Sequence, residues 1–169
     1  MSKDEWEKLS PEELDKRAER EPYVALEHAA HLLTPERLDW CAIRYPRAAL
    51  TYAAPLLTPE RLDWCAAKYP GAAIQYASHL LTPERLDQCA ASYPYAALQC
   101  AAHLLTPEQL DWCVEKEPLG ALRYVLHLLT PERKAWIIRK YPVQALGVMT
   151  ETKAKSLMEE KDNDSYHNT

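Results

Sequence analysis

The ten residues LLTPERLDWC at positions 32–41 return unchanged at 56–65, and near copies begin at 80, 104 and 128. The spacing is 24 residues without insertion or deletion. A degenerate copy at the front completes six units, starting at Lys8, Leu32, Leu56, Leu80, Leu104 and Leu128. A strict period of this length marks a repeat array, in which one unit cannot bury its own apolar face and must stack on copies of itself.

Each unit reads as two short helices. In the second unit, Thr34 is placed to cap the first helix, Pro35 to take its first position and Glu36 to lie in its positive first turn. Leu38, Cys41, Ala42 and Tyr45 recur at i, i+3, i+4 and i+7, the spacing of one apolar helix face. Pro46 ends that helix, since proline disfavours the helical region in the residue before it, and starts the next. The second helix is expected to bury Ala49, Leu50, Ala53, Leu56 and Leu57. One alanine position is the same in all six units: Ala25, Ala49, Ala73, Ala97, Ala121 and Ala145. A methyl there lets neighbouring helix axes approach, where a leucine would hold them apart.

The predicted fold is therefore an all-α solenoid of six two-helix repeats with polar capping ends. Residues 1–7 form an N-terminal extension, 8–150 the solenoid, 151–161 a closing helix and 162–169 a free tail. The end units lose the pattern where an end should. Lys16, Arg17 and Glu21 stand in place of Trp, Cys and Tyr, and Lys134 and Ala135 in place of Leu and Asp.

The repeat wording Ala49-Leu50-x-Tyr52-Ala53 followed by Leu57-Thr58-Pro59-Glu60-x-Leu62-x-x-Cys65-Ala66 resembles a bacterial family of unknown function built from helical repeats of this period. It is also similar to the leucine-rich repeat variant proteins. The resemblance covers residues 8–150. It implies an all-α solenoid and brings no catalytic motif to carry onto these positions.

Charge narrows the partners. The net charge is −5, and it sits at the two ends. Residues 1–22 hold eight acids and five bases, and residues 151–169 five acids and three bases, which leaves 23–150 neutral. That is not the basic footprint of a duplex-DNA binder. The N-terminus has no apolar core like that of a secretory signal, and no apolar run is long enough for a membrane span. Five cysteines without an export signal suit a reducing cytoplasm.

Catalytic and metal motifs fail on their spacing. Three isolated glycines exclude phosphate-cradling loops, and neither H-E-x-x-H nor G-x-S-x-G occurs. The pair Glu36 and Asp39 recurs in later units at helix N-termini, where complementing the helix dipole explains it. Cys41, Cys65, Cys89 and Cys113 share one repeat position, so packed helices ~8–10 Å apart hold them too far apart for a disulfide or shared zinc. They read as small core residues. His31, His79, His103 and His127 read as cations at helix ends. No enzyme, cofactor or metal is expected.

Two stripes remain. Trp40 lies about 160° from the apolar face of its helix and recurs as Trp64, Trp112 and Trp136. Arg37 and Arg44 flank the first of these, and Arg61 and Lys68 the second, three before and four after. Such a tryptophan can stack on its own arginine, wedge between units or contact a partner. The second stripe varies from unit to unit. One series reads Tyr23, Arg47, Gly71, Tyr95, Leu119, Val143, and the other Glu27, Thr51, Gln75, Gln99, Arg123, Gly147. Varied residues on a copied frame are how repeat proteins build extended binding surfaces.

The expected function is a non-catalytic protein–protein interaction scaffold. One form is an inhibitor of phage or mobile-element type that docks on a partner enzyme. The contact residues would be the tryptophans and cations above with Tyr23, Arg47, Tyr95, Gln99 and Arg123. The alternative is single-stranded nucleic-acid binding, one base per unit on the Trp/Arg ladder.

Overall fold

A computed structural model describes residues 3–150 of the chain. Their regular structure is all helical, with no strand among them. The fold is an all-α helical repeat.

The first helices of the units are Pro11–Arg20, Pro35–Arg44, Pro59–Lys68, Pro83–Ser92, Pro107–Lys116 and Pro131–Lys140. Each begins on proline, which loses no hydrogen bond at that position. Each is capped by the preceding Ser10, Thr34, Thr58, Thr82, Thr106 or Thr130. The cap hydroxyl accepts a backbone N–H three residues on, at 3.2–3.4 Å.

A single non-helical residue joins each first helix to the second. Tyr45 has φ −131° and ψ 63°, donates its N–H back to the Cys41 carbonyl, and is followed directly by Pro46. Glu21, Tyr69, Tyr93, Glu117 and Tyr141 repeat this geometry. The second helices follow as Pro22–Ala29, Pro70–Ala77, Pro118–Tyr124 and residues 142–150. In the second and fourth units, Pro46–Ala48 and Pro94–Ala96 continue into wider π turns at Ala49–Ala53 and Ala97–Ala101. At Ala29, Ala53, Ala77, Ala101 and Val125, φ lies between −126° and −137°, which breaks the helix into a short 3₁₀ turn.

The principal contacts join elements of one unit or of adjoining units. First helices lie against first helices, and second against second. The core is the seam between these two layers. Leu38, Cys41 and Ala42 are buried from one side, and Ala49, Leu50, Ala53 and Ala54 from the other. The repeated alanine is fully buried in all six units.

Two expected core positions lie outside it. Tyr45 is 42% exposed because it is the joint itself: its backbone has left the helix, so the helical wheel no longer says where its side chain points. Leu56 is exposed because it ends the 3₁₀ turn rather than extending the second helix, while Leu57 is half-buried.

The ends differ. A short helix at Lys3–Trp6 packs on the first unit and buries Trp6 completely, so the expected extension contributes to the core. The Trp6 indole N–H has no hydrogen-bond partner among the described residues. In the last described helix Leu146 is 66% exposed, although its counterparts Leu26, Leu50, Ile74, Leu98 and Leu122 are buried. The predicted closing helix at 151–161 and the tail at 162–169 lie outside the described residues.

Candidate functional site

The first-helix face is a ladder of ion pairs between units. Arg37 donates from Nε and Nη2 to the two carboxylate oxygens of Asp15 in the preceding unit, both at 2.6 Å. Arg61 pairs likewise with Asp39, Arg85 with Asp63, and Arg133 with Asp111. In the fifth unit Gln109 does two jobs: its Nε2 donates to Asp87 and its Oε1 accepts from the Thr106 backbone N–H, each at 2.9 Å. Arg37 and Arg85 hold Asp15 and Asp63 below the ordinary carboxylate pKa through these hydrogen bonds, and the guanidinium values rise in turn. The aspartates therefore tie one unit to the next, which the helix-dipole reading of the Glu/Asp pairs did not foresee.

The tryptophans sit beneath these cations. The guanidinium carbons of Arg37 and Arg44 lie 5.0 and 4.5 Å from the centre of the Trp40 ring. Arg61 and Lys68 stand over Trp64 at 5.1 and 5.7 Å, and Arg133 and Lys140 over Trp136 at 5.6 and 5.1 Å. Trp40, Trp64 and Trp136 are half-buried against core residues despite pointing away from the helix's apolar face, because a stacked helix also has flanks to bury. Trp112, 38% exposed, has Lys116 at 5.5 Å but a glutamine where the others have arginine. Where Gln88 interrupts the ladder, its carbonyl oxygen accepts from Arg85 Nη1 at 2.5 Å. Of the predicted contact residues on this face, Arg37, Arg44, Arg61, Lys68 and the tryptophans thus have internal partners.

The second-helix side is different. The joint tyrosines Tyr45, Tyr69 and Tyr93 stand out of the surface, 42–51% exposed, beside Tyr23, Tyr52, Tyr76 and Tyr95. Tyr23 packs edge-on to Tyr45 and Tyr52, both at 6.1 Å between ring centres, and the Tyr23 and Tyr52 hydroxyls are 3.3 Å apart. Tyr95 and Tyr124 repeat the pairing at 5.5 Å, with hydroxyls 2.7 Å apart. The hydroxyl contact pushes the Tyr52 pKa up to about 12 and raises that of Tyr95, so these phenols stay neutral near pH 7.

Between the tyrosines run shallow grooves. One of ≈ 500 Å³ is walled by Tyr23, Tyr45, Tyr52, Tyr69 and Tyr76, with Arg44 and Arg47 at its edge. Arg47, Lys68, Tyr69 and Tyr93 line the next, of ≈ 450 Å³. A third, of ≈ 190 Å³, lies between Tyr95 and Arg123. Among the described residues no carboxylate lines any of the three. Tyr23, Arg47, Tyr95, Gln99 and Arg123 of the varied stripe are exposed on this side, and Arg44 and Lys68 reach it from the ends of their helices. The sequence reading missed Tyr45, Tyr69 and Tyr93. The signal was available: each precedes a proline.

The cysteines behave as core. Cys41, Cys65, Cys89 and Cys113 are buried, and desolvation pushes their thiols up to about 11, away from thiolate chemistry. Among the described residues no cluster of three or more His, Cys, Asp or Glu side chains could hold a metal ion. His31, His79, His103 and His127 are exposed in the 3₁₀ turns, with His31 4.0 Å from Glu7. Among the described residues no helix is long and apolar enough to cross a membrane. Comparison of the chain with family models, with curated proteins and with solved structures finds no match in any of the three.

Proposed function

We propose that this chain is a non-catalytic scaffold for protein–protein interaction, and that its docking surface is the tyrosine-lined side formed by the joints and second helices. The observation that carries this reading is the row of exposed tyrosines from Tyr23 to Tyr95 on a copied helical frame. Tyrosine offers large contact area and a hydroxyl while losing little conformational entropy on binding, and it is enriched at interfaces and hot spots. A chain of this kind acts by occupancy. It brings two proteins together or covers part of an enzyme.

Single-stranded nucleic-acid binding through the tryptophans draws less support. Their rings already lie under cations, and Arg37, Arg61 and Arg133 are paired with aspartates. A base would have to displace both interactions.

The test is capture from lysate followed by reconstitution. Wild-type chain should retain a protein that, once purified, forms a stoichiometric complex with it. The Tyr69→Ala/Tyr93→Ala variant should lose that complex while keeping its helical spectrum. Failure to form any such complex, or equal complex formation by the tyrosine variant, overturns the proposal.

A further inference from the structure

Resting on that docking reading, we propose that the groove over the second to fourth units takes an acidic peptide segment in extended conformation. The chain as a whole carries −5, yet this stretch is locally cationic. Arg44, Arg47 and Lys68 line its two adjoining hollows, and among the described residues no carboxylate does. Arg44 and Lys68 also lie over the Trp40 and Trp64 rings. Arg47 is exposed, lines both hollows, and has no ion-pair partner among the described residues. Among the described residues the acids of this side stand at the margins of the stretch: Glu21, paired to Arg17, and Glu27, whose charge acts on Tyr52, in the first unit, and Glu117 in the fifth.

Charge of the opposite sign to the whole molecule, confined to one groove, selects for short range. At physiological salt the Debye length is about 8 Å, so carboxylates brought into the groove meet its cations and little of the acidic ends. A polyanion extending past the groove meets the acids beyond it at either end. That favours a peptide with a few carboxylates over a nucleic-acid strand.

The spacing suits an extended chain. Stacked helices lie roughly 8–10 Å apart, and an extended strand advances about 3.3 Å per residue. Each unit therefore matches about three residues of ligand, so carboxylates three residues apart can meet Arg44 or Arg47 in the second unit and Lys68 in the third. Between them apolar side chains meet tyrosine rings, whose hydroxyls serve the ligand's backbone.

The test uses full-length chain and three fluorescein-labelled probes: a nonapeptide of three Glu-Leu-Ser triplets, its Lys-Leu-Ser counterpart, and a nine-nucleotide oligothymidine. Fluorescence anisotropy should show the glutamate peptide bound at least about tenfold more tightly than the lysine peptide, with affinity falling as salt rises. Arg47→Glu/Lys68→Glu should abolish that preference, and Tyr69→Ala/Tyr93→Ala should weaken binding with the preference retained. Circular dichroism checks folding, and Arg47→Gln/Lys68→Gln replaces the glutamate variant if that variant unfolds.

Equal binding of the two peptides, no binding of either, or tighter binding of oligothymidine overturns the inference. So does a dimer in size-exclusion chromatography that Arg47→Glu/Lys68→Glu dissociates, which would make a second copy the occupant. About tenfold tighter peptide binding after Glu159→Gln, Glu160→Gln, Asp162→Asn and Asp164→Asn would make the chain's own acidic end the occupant and overturn it likewise. A captured partner lost with the tyrosine variant but indifferent to Arg47→Glu/Lys68→Glu sinks the acidic-peptide inference and leaves the scaffold standing. Selective peptide binding without any captured complex does the reverse.

Discussion

The first-helix face and the second-helix face come from the same 24-residue wording, yet only one of them is held constant. On the first, each arginine must find the aspartate of the unit before it, so a change in one unit leaves a charge unpaired in its neighbour. On the second, position 47 and its counterparts run Tyr, Arg, Gly, Tyr, Leu, Val, and the core beneath them hardly changes. Constancy along a stack thus reports contacts between units. Variation reports side chains whose neighbours can adjust. The joint tyrosines fall between these cases: Tyr45 touches Tyr23 of the preceding unit and the ring of Tyr93 lies over Gly71, yet all three remain open to solvent.

The comparison can be broken or sharpened by mutation. The largest loss should come from the layer that both faces share. Leu98→Ala removes a buried side chain from the seam and should cost about 3 kcal/mol, read as a lower urea midpoint. Next comes the constant face. Arg61→Ala, which loses both the Asp39 pair and the Trp64 contact, should cost about 1 kcal/mol and leave peptide binding in the opposite groove unchanged.

Acid should act on the same face. Asp15 and Asp63 have pKa values below their ordinary 3.8 in the folded chain, chiefly through hydrogen bonds from Arg37 and Arg85. Their contribution is present above the unfolded value and disappears as pH falls through the lowered one. The melting temperature should therefore drop below about pH 4, and less steeply in the Arg37→Gln/Arg85→Gln variant.

The smallest effect belongs to the varied face. A β-carbon at Gly71 would meet the Tyr93 ring at 3.5 Å, an ordinary contact. Gly71→Ala should stabilise the helix by about 0.5 kcal/mol. A loss there would mean that the varied positions are under internal constraint after all.

Much of the frame was legible because period and local chemistry agree. The Ser/Thr-Pro starts, the Leu38/Cys41/Ala42 face and the alanine seam all appear where repeat spacing and helical periodicity put them. The errors fall where periodicity stops applying. Carrying the helical wheel one residue too far, to the position before Pro46, hid the joint tyrosines in the core. Angle on a wheel left three readings of Trp40 open, since burial at a helix's flank depends on the neighbouring unit. The Asp–Arg ladder crosses units at a separation of 22 residues, which no reading of a single unit displays. Trp6 lies outside the repeat, and nothing in the period indicates that it packs into the first unit.

The one-residue joint between helices has a further consequence. It has no slack. One added residue would turn the following helix by about 100° and swing its apolar stripe out of the seam. Copies of such a unit can diverge by exchanging side chains but not by growing loops. Antibody-like frames change their binding surface partly through loop length; this one is restricted to the lettering on a fixed grid.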